Sequence, residues 1–403
     1  MCEDTAIHRM TDMESSESND IDLDIVIPSR ILFPTMVYSI PQNQLEVNAP
    51  IKLNVRVVQK NSNSLTLNRF QPFIPELLTP DGQILPGDLI REEVVINDRQ
   101  NRLFGFNQRK EFKWWRIRHN AATLFSLKAK LFWQNSSLKL KITTLPDDNQ
   151  SSVSPKYFWY FDVLEAKTYQ LRFILNIDGE TTLSGESDIG QQSTAPHPPS
   201  EMLATPWLNL RLVQPLSTDN CAVEVDGVLF KIEMPESVLN IPPRWWNIPF
   251  LGTRNKTDVK LGIRITNNTS TALRFYQAGS IEVTLISDDG QEINSTSEPI
   301  RLIHKKFNYY LLQPGENALI NLDGMLFWDS GQLQLAIPNK SRNYFDGKGA
   351  FDYFLDLKPG KSYQIQLRYR VSERAKLVEE ELLEKIWTGW IALPFIEFRL
   401  SNY

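Results

Sequence analysis

Four blocks of this sequence recur, in the same order, further along the chain. Residues 49–85 align with 257–293, 112–142 with 307–337, 157–175 with 351–369 and 204–212 with 392–400. The longest shared runs have three residues: Asp-Gly-Gln, at 81–83 and 289–291, and Leu-Phe-Trp, at 131–133 and 326–328. Blocks that repeat in one fixed order indicate a duplicated structural unit. The sequence therefore predicts two copies of one domain.

The repeated blocks have the pattern of β-strands. Apolar Ile51, Leu53 and Val55 alternate with polar residues, and the aligned segment 259–265 has the same alternation. Turn sequences separate the blocks: PDGQ at 80–83, DDGQ at 288–291, QPGE at 313–316 and KPGK at 358–361. Alternation with period two places one face of a strand on a core and the other in water. We predict an all-β protein of two duplicated antiparallel β-sandwiches.

The alignment also sets the expected domain boundaries. The strand at 204–212 matches the last strand of the second copy, so the Pro-rich stretch 176–203 is a long loop inside the first copy. We place the first sandwich at 28–214 and the second at 218–403. At the matching loop position of the second copy we expect a helix over about 373–387, because its apolar residues have helical spacing.

The amino terminus and the cysteine content indicate the compartment. Residues 1–27 are acidic and rich in serine, which predicts a disordered tail rather than a secretory signal. The 403 residues carry a net charge of −5 and only two cysteines, Cys2 and Cys221, so no disulfide framework is expected. No run of apolar residues is long enough for a membrane helix. These features predict a cytoplasmic protein.

The strands 53–57 and 261–265, the Asp-Gly turns and the Pro-Gly turn before Tyr363 resemble tandem immunoglobulin-like domains of the fibronectin type III kind. The polar NNTS at 267–270, followed by DDGQ and QPGE, is also similar to bacterial intracellular sandwiches of the proteinase-inhibitor type. The resemblance implies binding or spacing modules. No inhibitory residue carries over, and a shared fold by itself implies no activity.

Motifs for catalysis, metals and cofactors are missing from the sequence. The four histidines have no partner at metal-ligand spacing, and no phosphate-binding or nucleophile-elbow motif occurs. We interpret Cys221 as an inert thiol. We therefore predict no catalytic residue, no metal ligand and no cofactor.

A basic stretch at 99–118 suggests one class of ligand. Its arginines and lysines, Arg109 and Lys113 among them, are interleaved with aromatic residues such as Trp114 and Trp115. That mixture can track a phosphate backbone and stack on bases. Trp115 aligns with Tyr310, which favours shared core positions over nucleic-acid binding.

The segment PPRWWNIPF at 242–250 suggests a protein partner. It has no aligned counterpart in the first copy, and it combines a guanidinium with three large aromatic rings. These residue types dominate interface energies. We predict a partner-binding patch formed by Arg244, Trp245, Trp246 and Phe250; the alternative is that these rings fill the junction between the domains. Trp133 and Trp328, present in both copies, are expected in the cores.

These observations favour a non-enzymatic intracellular binding or scaffold protein, with another protein as its partner. Affinity capture from the native cell is the experiment that would identify this partner. Two alternatives stay open: a carbohydrate-binding protein of a bacterial envelope, and an enzyme with a site between the domains. The sequence predicts neither the ligand nor the oligomeric state.

Overall fold

The protein is all-β. The computed structural model describes residues 21–26, 35–42, 48–60, 65–68, 73–92, 114–117, 121–143, 156–177, 201–243, 255–276, 280–297, 309–338, 351–371 and 386–401. Thirty-one strands and no helix occur within these ranges. None of these residues therefore belongs to a helix long and apolar enough to cross a membrane.

The first half of the molecule contains fourteen strands. They are β1 (Ile21–Val26), β2 (Thr35–Ser39), β3 (Ala49–Gln59), β4 (Leu65–Asn68), β5 (Phe73–Leu78), β6 (Ile84–Leu85), β7 (Gly87–Glu92), β8 (Trp114–Ile117), β9 (Ala122–Gln134), β10 (Ser137–Thr143), β11 (Lys156–Leu164), β12 (Thr168–Ile177), β13 (Glu201–Ala204) and β14 (Leu208–Val213).

The second half contains the remaining strands. They are β15 (Ala222–Val225), β16 (Val228–Glu233), β17 (Val238–Asn240), β18 (Lys256–Val259), β19 (Gly262–Asn267), β20 (Leu273–Tyr276), β21 (Ser280–Ser287), β22 (Glu292–Ile293), β23 (Ser295–Ser297), β24 (Tyr309–Leu312), β25 (Asn317–Asn321), β26 (Gly324–Asp329), β27 (Gln332–Pro338), β28 (Phe351–Leu357), β29 (Ser362–Val371), β30 (Gly389–Ala392) and β31 (Ile396–Ser401).

Two sheets form a sandwich in the first half. One has the order β1-β3-β9-β10-β11-β7, and the other the order β2-β14-β12-β5-β6, with β13 also paired to β12. The alternating apolar residues of both sheets meet in one core, in which Phe73, Phe125 and Phe173 are about 1% exposed. The rings of Phe73 and Phe125 lie edge to face, 5.2 Å apart.

The second half has the same order of neighbouring strands. A four-stranded sheet has the order β15-β16-β19-β25, and a five-stranded sheet has the order β18-β26-β27-β28-β23. Together these two sheets correspond to the six-stranded sheet of the first half. Strands β17-β31-β29-β21-β22 form the facing layer, with β30 also paired to β29. Where β3 is continuous, its counterpart is divided into β18 and β19; β15 is an additional strand next to β16. A second core, centred on Phe230, Phe354 and Tyr369, fills this layer pair.

Local irregularities also recur at matching positions. The pairing of β10 with β11 shifts register between Leu138 and Leu140, and that of β27 with β28 shifts between Leu333 and Leu335. The Tyr169 hydroxyl accepts a hydrogen bond from the amide of Glu165 at 2.9 Å. The Tyr363 hydroxyl accepts one from the amide of Lys358 at 2.7 Å.

Two expectations require correction. Ile21–Val26, which we assigned to a disordered tail at 1–27, pairs antiparallel with β3, because six residues alternating apolar and acidic types extend the sheet. The rest of that tail lies outside the described residues. The predicted helix at 373–387 also lies outside them except at its end, where Ile386 is not helical but forms an isolated bridge with Arg274.

The loop predicted at 176–203 is shorter at both ends than expected. Its first residues complete β12, and residues 201–203 belong to β13, which pairs with β12 from Ile174↔Ala204 to Ile177↔Glu201. Residues 178–200 lie outside the described part of the chain. Strand β14 also pairs with β12, so the chain beyond the loop stays in the first half.

Candidate functional site

The two halves meet along one pair of strands. Strand β2 of the first half pairs in parallel with β30 of the second, in the register Met36↔Trp390 to Tyr38↔Ala392. This pairing joins the two layers into one 12-stranded sheet. The rings of Tyr38 and Trp390 lie against each other with centroids 4.6 Å apart. We call this contact, with the side chains around it, the seam.

Side chains of the seam extend into the opposite half. Val37, from the first half, is 7% exposed and belongs to the second core. Trp390, from the second half, is 2% exposed and belongs to the first core. Each core is therefore completed by a residue of the other half, so removing either half would expose apolar surface.

Polar contacts lie around the paired strands. The guanidinium of Arg368, itself only 3% exposed, donates through Nη2 to the carbonyl of Pro50 at 2.9 Å. Lys52 forms an ion pair with Glu292 at 2.6 Å, and Arg211 forms one with Asp226 at 2.8 Å. A Cβ added to Gly290 would lie 2.8 Å from Nδ2 of Asn48, so the hairpin at 288–291 is seated closely on the first half.

Burial controls the ionisation of the tyrosine at the seam. The hydroxyl of Tyr38 is enclosed, and burial raises its pKa well above the ordinary range, against the smaller, opposing effect of Arg368. Its oxygen and Nε1 of Trp390 have no hydrogen-bond partner among the described residues. The Tyr38 side chain is therefore a neutral phenol at the seam, and packing fixes its position.

A cleft of about 340 Å³ opens beside the seam. Residues from both halves line it: Gln42, Asn220, Cys221, Ile232, Met234, Ser237, Phe395, Ile396 and Glu397. Burial, and secondarily Asp219, raises the pKa of the Cys221 thiol. A hydrogen bond from Lys231 lowers the pKa of Asp219, which Lys231 contacts at 2.7 Å. The thiol is therefore protonated near neutral pH and is a weak nucleophile.

The predicted patch of Arg244, Trp245, Trp246 and Phe250 lies outside the described residues. The chain on both sides of it is fixed. Nε1 of Trp328 donates to the carbonyl of Pro242 at 2.8 Å, and the hydroxyl of Thr257 donates to the carbonyl of Asn240 at 2.6 Å. The partner-binding patch therefore stays a prediction. The described residues just before and just after it are fixed by these two hydrogen bonds.

The two recurring tryptophans occupy matching positions. Trp133 and Trp328 are half-buried rather than fully buried, and each packs against the core of its own half. Nε1 of Trp133 donates to the carbonyl of Pro41 at 2.6 Å, as Trp328 does to Pro242. Each tryptophan therefore holds the segment that follows the strand paired in parallel with the closing strand of its half, β2 or β17.

Most of the basic stretch at 99–118 lies outside the described residues. Residues 114–117 form β8, which pairs with β4 in a two-stranded sheet, and Ile117 is 1% exposed. The aligned β24 pairs with β20 in the same way. Tyr310, the residue aligned with Trp115, is half-buried and packs against the second core. The burial of Trp115 itself lies outside the described residues, so its core position stays a prediction.

The sequence analysis did not single out the seam residues. Tyr38 and Trp390 lie outside the aligned blocks, and their strands have only five and four residues. One signal was present: the pair Ile40-Pro41 follows β2, and Ile241-Pro242 follows β17. The amide of Ile40 donates to Val213 and that of Ile241 to Ser401, so this pair marks the end of the same strand in both halves.

Comparisons with known proteins give a distant likeness to a solved structure. No protein-family model and no curated protein matches the chain. Among solved structures, it is similar to the crystal structure of a Salmonella alpha-2-macroglobulin reacted with methylamine, at 8% identity and a TM-score of 0.12. The match covers 86% of this chain and 25% of the macroglobulin, so the chain spans about a quarter of that protein's length.

Proposed function

We propose that this chain is a non-enzymatic binding or scaffold protein, built from two copies of one immunoglobulin-like β-sandwich domain. The matching strand neighbours, the two register shifts at Leu138 and Leu333 and the two tyrosine hydrogen bonds support a duplication. We propose a cytoplasmic location, on the composition alone, and another protein as the ligand.

One difference between the halves supports the binding role. Both halves contribute to a single sheet, but the connection that follows β17 in the second half is longer than the one that follows β2 in the first. In the first half the chain between β2 and β3 spans residues 40–48, whereas between β17 and β18 it spans 241–255. In both connections the second residue is a proline whose carbonyl accepts a hydrogen bond from a tryptophan indole. A loop fixed at its base presents its side chains at a low entropic cost.

The cleft beside the seam is the observation that favours one of the alternatives, an enzyme with a site between the two halves. Its lining from both halves fits that possibility. The cleft's cysteine argues against nucleophilic catalysis, since its pKa is raised rather than lowered. We therefore favour the binding role.

Replacing Trp245 and Trp246 with Ala tests the proposal. The full-length double variant should no longer capture the protein that the wild-type chain captures from its native cell, and should keep the wild-type melting temperature. The captured protein, once purified, should bind the variant at least about 10-fold more weakly, since aromatic anchors dominate interfaces.

Trp207→Ala is the matched control. Trp207 is a half-buried tryptophan of the first half, with the guanidinium of Arg172 4.3 Å from its ring centre. This variant should keep the partner. A large drop in melting temperature for Trp245→Ala with Trp246→Ala would show that these rings belong to the interior and would contradict the patch.

A further inference from the structure

Each strand of the seam has a counterpart that pairs with no further strand on its outer side within the described part of the chain. One backbone group on the outer side of β17, the carbonyl of Asn240, accepts a hydrogen bond from the Thr257 hydroxyl. Strand β17 occupies the position of β2, because both pair in parallel with the closing strand of their half: Val37↔Arg211 and Val238↔Arg399. Strand β13 occupies the position of β30, because Met202 pairs with Asn176 as Trp390 pairs with Arg370. Among the described residues, one edge of each type is therefore paired within the molecule, and the other edge of each type pairs with no strand.

The open edges carry apolar side chains where the seam buries them. Val238, the counterpart of Val37, is 50% exposed, whereas Val37 is 7% exposed. Met202, the counterpart of Trp390, is 62% exposed, whereas Trp390 is 2% exposed. Exposed apolar residues at an interface position mark an interaction site more strongly than residues scattered over a surface.

The area around β13 continues this pattern. Ile84 of the first half is the counterpart of Glu292, which lies at the seam. The side chain of Ile84 is 62% exposed. A Cβ added to Gly82 would meet nothing within 4 Å, whereas its counterpart Gly290 faces Asn48. On the first half, the surface equivalent to the second half's seam is thus open and partly apolar.

The backbone of β17 can accept a partner. The carbonyl of Ser237 accepts from Arg399, and the amide of Ile241 donates to Ser401. Because successive backbone groups of a strand alternate in direction, the amide and carbonyl of Val238 point away from β31. The register Val37↔Ile391 shows the corresponding residue of β2 paired with β30.

We propose that a second copy of this chain binds here: β17 of one molecule pairs in parallel with β13 of the next, repeating the β2–β30 seam between chains. This inference rests on the proposed duplication and names one partner of the proposed binding protein. The two surfaces differ, so the contact is head-to-tail and propagates into open chains or rings instead of stopping at a symmetric dimer.

Sedimentation velocity of the purified full-length protein, over about 1 to 100 µM, tests the proposal. The wild-type sedimentation coefficient should rise with concentration. Val238→Lys blocks one edge and Met202→Lys the other, so each variant alone should associate roughly 100-fold more weakly, since each buries an unpaired charge. An equimolar mixture of the two should form a 1:1 dimer and nothing larger, because each variant supplies the edge that the other lacks.

Leu124→Lys is the control. Leu124 is 54% exposed but lies on β9, in the six-stranded sheet that contains neither β13 nor β17, so this variant should associate like the wild type. Far-UV circular dichroism and melting temperature verify that each variant is folded, which we expect because the three side chains are exposed. A wild-type chain that stays monomeric throughout, a mixture that forms no dimer, or a control that loses association would each overturn the inference.

The outcomes are separable from those of the proposed function. A monomeric chain that still captures its protein partner through Trp245 and Trp246 overturns the self-association alone. A chain that associates head-to-tail and captures no other protein supports the self-association and contradicts the heterologous partner.

Discussion

At the residue scale, two tryptophans were recognisable from the sequence because they recur, but their roles were not. Recurrence suggested that Trp133 and Trp328 fill the cores. Instead they are half-buried, and their indole nitrogens hold the carbonyls of Pro41 and Pro242. Alternation predicts which face a strand buries; it does not predict which backbone carbonyl a side chain will meet some 90 positions away.

Trp133→Phe and Trp328→Phe should destabilise the protein by similar amounts. Each keeps a ring against its core but loses the donor to a buried proline carbonyl, which costs about 1 kcal/mol of unfolding free energy. Urea unfolding of both variants measures the loss. If one substitution were costly and the other neutral, the two hydrogen bonds would not be equivalent, and the argument for matching halves would weaken.

At the element scale, the strands within each half were predictable and the strands between the halves were not. The long alternating segments of β3, β9 and β12 gave clear period-two patterns. Strands β2, β13, β17 and β30 have three to five residues, which is too short for a pattern to be distinguished from a loop. Acidic composition at the amino terminus also concealed β1, whose partner β3 lies far along the chain.

Trp390→Ala and Met202→Ala compare the same strand position in its buried and exposed settings. Trp390→Ala removes a ring from the first core and should cost about 3–5 kcal/mol. Met202→Ala alters an exposed side chain and should change the unfolding free energy of the monomer by less than about 0.5 kcal/mol. Thermal or urea unfolding at low protein concentration measures both. Similar losses at the two positions would contradict the assignment of β30 to the seam.

At the scale of the whole molecule, the sequence predicted the all-β sandwich architecture but not the fusion of its two halves. Composition and repeats describe each half separately, and nothing in them specifies that Val37 completes the second core and Trp390 the first. The partner patch at 244–250 was a sequence prediction and remains one. The seam and its two open counterparts emerged only from strand register, which is a long-range property of the chain.

Hydrogen exchange of the full-length protein at low concentration tests most directly the claim that β2 is paired across the seam while its counterpart β17 has an open edge. The account predicts that the amide of Val37 exchanges only through large-scale opening, whereas that of Val238 exchanges orders of magnitude faster. Raising the protein concentration should slow exchange at Val238 and leave Val37 unchanged. Equal protection of the two amides in the dilute monomer, or fast exchange at Val37, would contradict it.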